Sequence, residues 1–238
     1  MQMPFASLLR NQAMKMVALG FMVFTATSPA QAELVLSKVI VDLRPDEPAR
    51  EDIEIWNDSG ERMYVAVEPS EILAPGTNKE ERRPDLRPDQ SGLLVTPQKL
   101  VLEPRQRRIV RIAAIAPREQ TDKVYRVTVK PIAGPLNTSQ SALKILVGYD
   151  VLVIYRPRDI SSNIVAERDG NSLTVTNHGN TAIELFDGKQ CSTASNKCSD
   201  LPSRRLYAGN TWKLTLPFDA PFTYTVSTGN DAKVLKFQ

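Results

Sequence analysis

The sequence is short of the residues from which catalytic and metal sites are built. Its 238 residues contain one histidine. A Ser-His-Asp or Cys-His site needs a general base, and His178 sits in Asn177-His178-Gly179-Asn180, a turn in which a solvated side chain is the default. No Gly-x-Ser-x-Gly, Gly-rich phosphate loop or His-Glu-x-x-His occurs. Carboxylate pairs such as Glu51 and Asp52 read as strand-edge charge, so no enzyme is expected. Two cysteines and that histidine fall short of the roughly four ligands of a structural zinc site, and neither a metal nor any other cofactor is expected. Aromatics make up 6% of the chain, and 30 Lys and Arg stand against 27 Asp and Glu. A nucleic-acid binder would be basic and would carry stacking aromatics. That class is therefore excluded, and nothing points to a small-molecule substrate.

Long hydrophobic runs are also lacking. The stretch 16–27 is apolar but shorter than the roughly 20 residues of a transmembrane helix. It follows Arg10 and Lys15 and ends at Ala30-Gln31-Ala32, a small-x-small cleavage site. Residues 1–32 thus read as a secretory signal peptide, with cleavage expected between Ala32 and Glu33. Loss of Arg10 and Lys15 with it leaves the mature chain close to neutral, which argues against a membrane-surface binder. In an exported protein Cys191 and Cys198, with six residues between them, are expected to be oxidised to one another. So short a loop would pin a local hairpin and would not hold the fold together.

What the chain does have is strands. Leu34 to Asp42, Glu51 to Trp56, Met63 to Val67, Leu93 to Thr96, Leu100 to Leu102, Arg107 to Ile115, Tyr125 to Val129 and the long apolar run Ala142 to Tyr155 form a first set. Many alternate with period two, and Pro, Gly, Asn and Asp separate them. A second set follows Pro157, with Ser172 to Thr176, Ala182 to Phe186, Arg204 to Tyr207, Thr211 to Leu216, Phe222 to Ser227 and Lys233 to Phe237. This pattern predicts an all-β protein of antiparallel sandwiches. Pro157 would end the long strand and stiffen the connection. The expected organisation is residues 33–157 and 158–238 as two domains. The proline-bearing segment Lys79 to Gln90 reads as a solvated connection, and Arg105, Arg107, Arg108 and Arg111 as the wet face of one strand.

Several segments, in order, resemble the periplasmic chaperones of the chaperone–usher pilus pathway. They are Leu94-Val95-Thr96-Pro97 with Leu100-Val101-Leu102-Glu103-Pro104 and Arg111-Ile112, then Tyr125-Arg126-Val127 with Lys130, then Val153-Ile154-Tyr155-Arg156-Pro157. Asn177-His178-Gly179-Asn180 follows, and Cys191…Cys198…Leu201-Pro202…Arg205…Tyr207-Ala208-Gly209 is similar to the PapD-like, alternate-type branch with a cysteine pair in its second domain. The resemblance spans the mature chain. It implies two immunoglobulin-like domains set at an angle with a cleft between them, in a periplasmic protein that binds, folds and caps pilus subunits (pilins) and hands them to an outer-membrane usher.

Such a function needs a strand that can be lent. A partner with an open groove is completed by β-augmentation, in which backbone hydrogen bonds give affinity and alternate side chains fill pockets. Leu143, Ile145 and Val147 share one face of a strand and resemble the family's donor residues. They could equally face the protein's own core. However, Leu146, Leu152 and Ile154 make the opposite face apolar too. A strand apolar on both faces is buried on both, or one face awaits a partner. The family also anchors the subunit's terminal carboxylate with two basic residues in the cleft. Lys38 matches the first position. The second holds Leu152, with Asp150 nearby of the wrong sign. A hairpin would place Arg126 opposite Gly148 to Asp150, where it could reach the cleft or pair with Asp150; Lys130 is a weaker candidate. A two-domain adhesin or structural pilus component is the alternative function, and a homodimer that caps its own donor strand stays open.

Overall fold

The computed structural model describes residues 33–84, 87–132, 146–192, 197–229 and 231–238. The expected signal segment and its cleavage site, together with Leu143 and Ile145, lie outside the described residues. Among the described residues no helix is long and apolar enough to cross a membrane.

In chain order the strands are β1 (Leu34–Leu36), β2 (Ile40–Leu43), β3 (Arg50–Asn57), β4 (Met63–Leu73) and β5 (Glu81–Pro84), then a single helical turn α1 (Pro88–Ser91). They continue with β6 (Leu93–Thr96), β7 (Lys99–Leu102), β8 (Arg107–Ala114), β9 (Lys123–Ile132) and β10 (Tyr149–Tyr155). After Pro157 come β11 (Ile164–Asp169), β12 (Ser172–Asn177), β13 (Ile183–Cys191), β14 (Cys198–Leu201), β15 (Arg204–Leu206), β16 (Thr211–Thr215), β17 (Phe222–Thr228) and β18 (Asp231–Phe237). The first ten strands form two sheets, β1-β3-β8-β6 and β2-β10-β9-β4-β5 with β7 also on β4. The rest form β11-β12-β16 and β14-β13-β17-β18 with β15 also on β13. The protein is all-β, two immunoglobulin-like sandwiches in series.

Each sandwich closes on its own core. The first buries Ile53, Ile55, Val65, Val67, Val110, Ile112, Val127, Val151 and Val153, mostly β-branched residues that fit a pleated face. The second is built around Leu173, Leu185, Phe222, Tyr224 and Val226. There Phe222 meets Tyr224 edge-to-face at 6.2 Å and stacks on Phe237 at 5.0 Å. Burial pushes the Tyr224 phenol up to about 12. The Cys191–Cys198 disulfide joins cross-strand partners at the end of the β13–β14 hairpin.

Three departures from the sequence expectation have physical reasons. The single strand expected over Leu34 to Asp42 is broken at Ser37–Val39. Leu34 is buried at an even position, whereas Val41 and Leu43 are buried at odd ones. One flat strand of period two cannot bury both sets. The chain therefore crosses from β1, antiparallel to β3, to β2, parallel to β10. The charge-dense connection holds a strand, β5, paired with Ser70–Leu73. All four of its side chains are exposed, so it has no hydrophobic alternation to read. In the long apolar run, the described strand begins only at Tyr149; Leu146–Gly148 carry no regular structure.

Candidate functional site

The sheet β2-β10-β9-β4-β5 packs one face into the first core. Its other face carries the features a partner would meet. Cross-strand pairing orders that outer face in rows. Asp42, Ile154, Val124 and Ile72 form one row, and Ile40, Leu152, Arg126 and Ser70 the next. Asp150, Thr128 and Glu68 follow, and Ile132, Tyr64 and Val101 come last. The second sandwich covers the first of these rows. Ile72, Val124, Leu152 and Ile154 pack with Ala182, and Tyr207 lies against them. Burial raises the Tyr207 phenol above its ordinary value.

Polar contacts lock this joint. Arg156, 3% exposed, forks onto Asp42 at 2.6 and 3.0 Å and donates from Nη1 to Thr181 Oγ1 at 2.5 Å and the Ala182 carbonyl at 3.0 Å. Asp122 accepts from the Thr181 hydroxyl at 2.8 Å and from the Ala182 N–H. Burial raises the Asp122 carboxyl above its ordinary value, against the lowering effect of those two bonds. Arg118 donates to the carbonyls of Leu43, Arg44 and Arg156 and lies over the Tyr155 ring. Arg44 donates to the Thr228 carbonyl and pairs with Asp231, both at 3.2 Å. At the far side Asn210 donates to the Pro75 carbonyl. Next to the joint, Ile40, Asp42, Ile154, Arg156, Glu184 and Arg205 line a cleft of about 260 Å³.

β10 has an unequal pair of neighbours. β9 flanks it from Tyr149 to Tyr155, but β2 flanks it only from Leu152 on. Among the described residues no strand pairs with Tyr149–Val151 on the side away from β9. Val147, just before, is 58% exposed. It does not lie in the protein's own core.

The expected basic residues are not brought together. Lys38, exposed in the crossover between β1 and β2, donates to Glu51 on the opposite sheet. Arg126 lies opposite Leu152, not Gly148 to Asp150: the register is shifted relative to the hairpin expected. Its side chain still leans back, donating from Nη1 to the Asp150 carbonyl at 3.3 Å, with Nε 3.8 Å from the carboxylate. Lys130 pairs with Glu68 at 2.8 Å. In the arginine cluster, Arg105, Arg107 and Arg111 pair with Asp58, Glu54 and Asp52. The hydrogen bond from Arg111 holds the Asp52 carboxyl below its ordinary value.

Sequence reasoning missed Arg82. From β5 it reaches Asp150 with Nη1 at 3.2 Å and Nη2 at 2.9 Å, and Thr128 Oγ1 at 2.7 Å. It also missed the buried roles of Arg156 and Asp122. An arginine at the end of an apolar strand, directly before a proline boundary, is the one available signal for Arg156.

No protein-family model matches the chain. It is 28% identical over 150 residues to a CS1 fimbrial protein of Escherichia coli that is named as a fimbrial subunit, a match covering 60% of this chain and 63% of that protein. The matched part thus spans less than two thirds of the length of that curated relative. Among solved structures, the class 5 fimbriae chaperone CfaA superposes with a TM-score of 0.64 at 18% identity, covering 86% of this chain and 99% of that one. A chain in the complex of the Salmonella enterica SafA pilin with the SafB chaperone gives 0.62 at 14% identity, covering 88% and 98%. The chain therefore has the two-sandwich fold of the chaperone–usher pilus chaperones.

Proposed function

We propose that this protein is a periplasmic chaperone that binds, folds and caps pilus subunits by donor-strand complementation and delivers them to an outer-membrane usher. Residues 33–157 form the domain that lends the strand and residues 158–238 the domain that closes the cleft. The observation that carries this reading is the half-open edge of β10. Among the described residues no strand pairs with Tyr149–Val151 on the side away from β9, next to an exposed Val147, and an added strand is what β-augmentation supplies. Leu143, Ile145 and Val147 are the donor side chains. Each would contribute about 1.5–3 kcal/mol on burial in a subunit groove, before ordering costs are subtracted. Lys38 and Arg126 are the residues that would hold the subunit's terminal carboxylate, exchanging for it their partners Glu51 and Asp150. The relatives point the same way, since one of the similar structures is a chaperone bound to a pilin. The name of the curated relative, a fimbrial subunit, favours the second reading, a structural pilus component.

Co-expression of the chain with candidate pilins of its source organism separates the two. A stoichiometric complex from the periplasm is expected for wild type, lost in Leu143→Glu/Ile145→Glu and weakened in Lys38→Ala while each variant stays folded. A wild-type chain that elutes without pilin, or that polymerises, overturns the chaperone reading in favour of a structural component.

A further inference from the structure

β5 has no apolar contact to hold it against the core. All four of its side chains are exposed, and among the described residues it pairs with Ser70–Leu73 of β4 alone. The reach of Arg82 to Thr128 and Asp150 lies open to solvent, where such contacts are weak. A two-stranded ribbon without a buried face is marginal in water. The hold on β5 is at the tip of its hairpin.

That tip, residues 74–80, is tightly built. Thr77 donates its hydroxyl to the Ala74 carbonyl at 2.8 Å, and the Gly76 N–H donates to the Glu80 carboxylate at 2.6 Å. Ala74 (φ +45°) and Gly76 (φ +72°) are both left-handed. For alanine that conformation persists only where the surroundings impose it. The surroundings are the turn 207–210 of the second sandwich. Asn210, 8% exposed, donates to the Pro75 carbonyl at 3.2 Å and accepts from the Tyr207 N–H at 3.1 Å. Gly76 lies so close that a Cβ there would collide with Asn210 Oδ1 and meet the Tyr207 ring at 3.1 Å. The turn itself is firm. The Gly209 N–H donates to the Asn177 carbonyl and the Asn177 N–H to the Asn210 carbonyl, both at 2.9 Å, and Asn177 is fully buried. This contact lies at the edge of the sheet opposite Asp42 and Arg156, with the cluster of Ile72 and Ala182 between them.

We propose that the turn 207–210 grips the tip of the β4–β5 hairpin, and that the grip holds β5 as a side wall of the partner-binding face. Asn210 and Gly76 are positioning residues, which act without touching the partner. This rests on the pilin-binding reading above and deepens it, because it gives the second sandwich a part in binding at a distance. A wall that is ordered beforehand need not be ordered on binding, and affinity gains by that difference.

The test uses two variants of the mature chain. Asn210→Ala removes the hold from the second sandwich, and Gly76→Ala obstructs it from the first, so a folding defect in one leaves the other to be read. In the free chain the amides of Glu81, Arg82 and Arg83 are expected to exchange with solvent about tenfold faster, while those of β9 keep wild-type rates. Co-expressed with a differently tagged wild-type chain and a candidate pilin that it retains, either variant is expected to carry about tenfold less pilin. Unchanged exchange at β5 overturns the grip. Faster exchange with an undiminished share of pilin overturns the wall, since a merely structural contact would leave binding unmoved. If wild type retains no pilin, the chaperone reading falls and the wall with it, while the exchange rates still decide the grip.

Discussion

One face of one sheet carries two arginine–carboxylate sites, and they are built oppositely. Arg156 and Asp42 sit at the joint with the second sandwich, the arginine almost wholly buried, and its Nη1 donates to Thr181 and Ala182 as well. Arg82, Arg126 and Asp150 meet farther along that face, open to solvent, partnered by one another and by Thr128. Similar chemistry in different surroundings does different work. A buried pair cannot lose one partner without leaving an uncompensated charge, so it fixes geometry. An exposed pair trades protein for water at almost no net cost, so it can be exchanged.

Removing the buried arginine is the largest test of this contrast. Arg156→Ala leaves Asp42 and the Ala182 carbonyl without their partner and is expected to cost about 3–5 kcal/mol of stability. The chain has two tryptophans, Trp56 on β3 and Trp212 on β16, one in each sandwich. Urea unfolding followed by the fluorescence of each, with the other changed to Phe, reads both halves. Wild type is expected to unfold with coincident transitions, and Arg156→Ala to split them. Coincident, unshifted curves in the variant would mean that the joint is held by something else.

A subtler break acts through backbone. Gly229 has φ +85°, and a Cβ built there would lie 2.2 Å from Asp42 Oδ2 and 3.0 Å from Arg44 Nη1. Gly229→Ala thus combines a left-handed conformation that a side chain resists with a collision into the joint's own carboxylate. It is expected to cost about 1–3 kcal/mol, detected as a lower urea midpoint. The same substitution at Gly209, where φ is +77° but nothing lies within 4 Å, should cost less; equal costs would remove the collision from the account.

How much of this was legible in the sequence follows from the same contrast. The core strands were, because alternation such as that of Tyr125, Val127 and Val129 is set by burial on one face. The change of strand set was too: the strands up to β10 and those after it form separate sheets. The crossover at Ser37–Val39 was written only as a parity change between Leu34 and Val41, which a continuous β-rich run conceals. β5 was invisible because a strand exposed on all sides has no period. The joint was invisible for another reason: Arg156, Asp122 and Thr181 are distant in sequence, and nothing local distinguishes an arginine that will be buried from one that will be wet. Arg82 belongs to a segment that reads as a solvated connection, and it is solvated; what sequence could not supply was that a hairpin would fold it back over Thr128 to Asp150.

A pH experiment sharpens the contrast within the joint itself. Burial raises the Asp122 carboxyl, so its protonated form is the one the folded state favours. Its contribution is present below the unfolded-state value of 3.8 and is lost as pH climbs through the raised folded value. Exposed Asp52, lowered by Arg111, works the opposite way, gaining above its unfolded value. The difference in urea midpoint between wild type and Asp122→Asn should therefore shift against wild type as pH rises from below 3.8 toward neutrality. A difference independent of pH would show that Asp122 titrates alike in both states.

The smallest expected effect is the one that the exposed site must show. Arg82→Gln deletes a bond to Thr128 and a forked contact to Asp150 that matches the fork of Arg156 on Asp42. Yet the guanidinium and the carboxylate both return to water when released, and β5 buries nothing on their account. The urea midpoint of the free protein should move by no more than about 0.5 kcal/mol equivalent, and raising the salt concentration should erase even that. A loss comparable to that of Arg156→Ala would mean that Arg82 is a structural strut. The distinction between a fixed, buried pair and an exposed, labile pair on this sheet would then collapse.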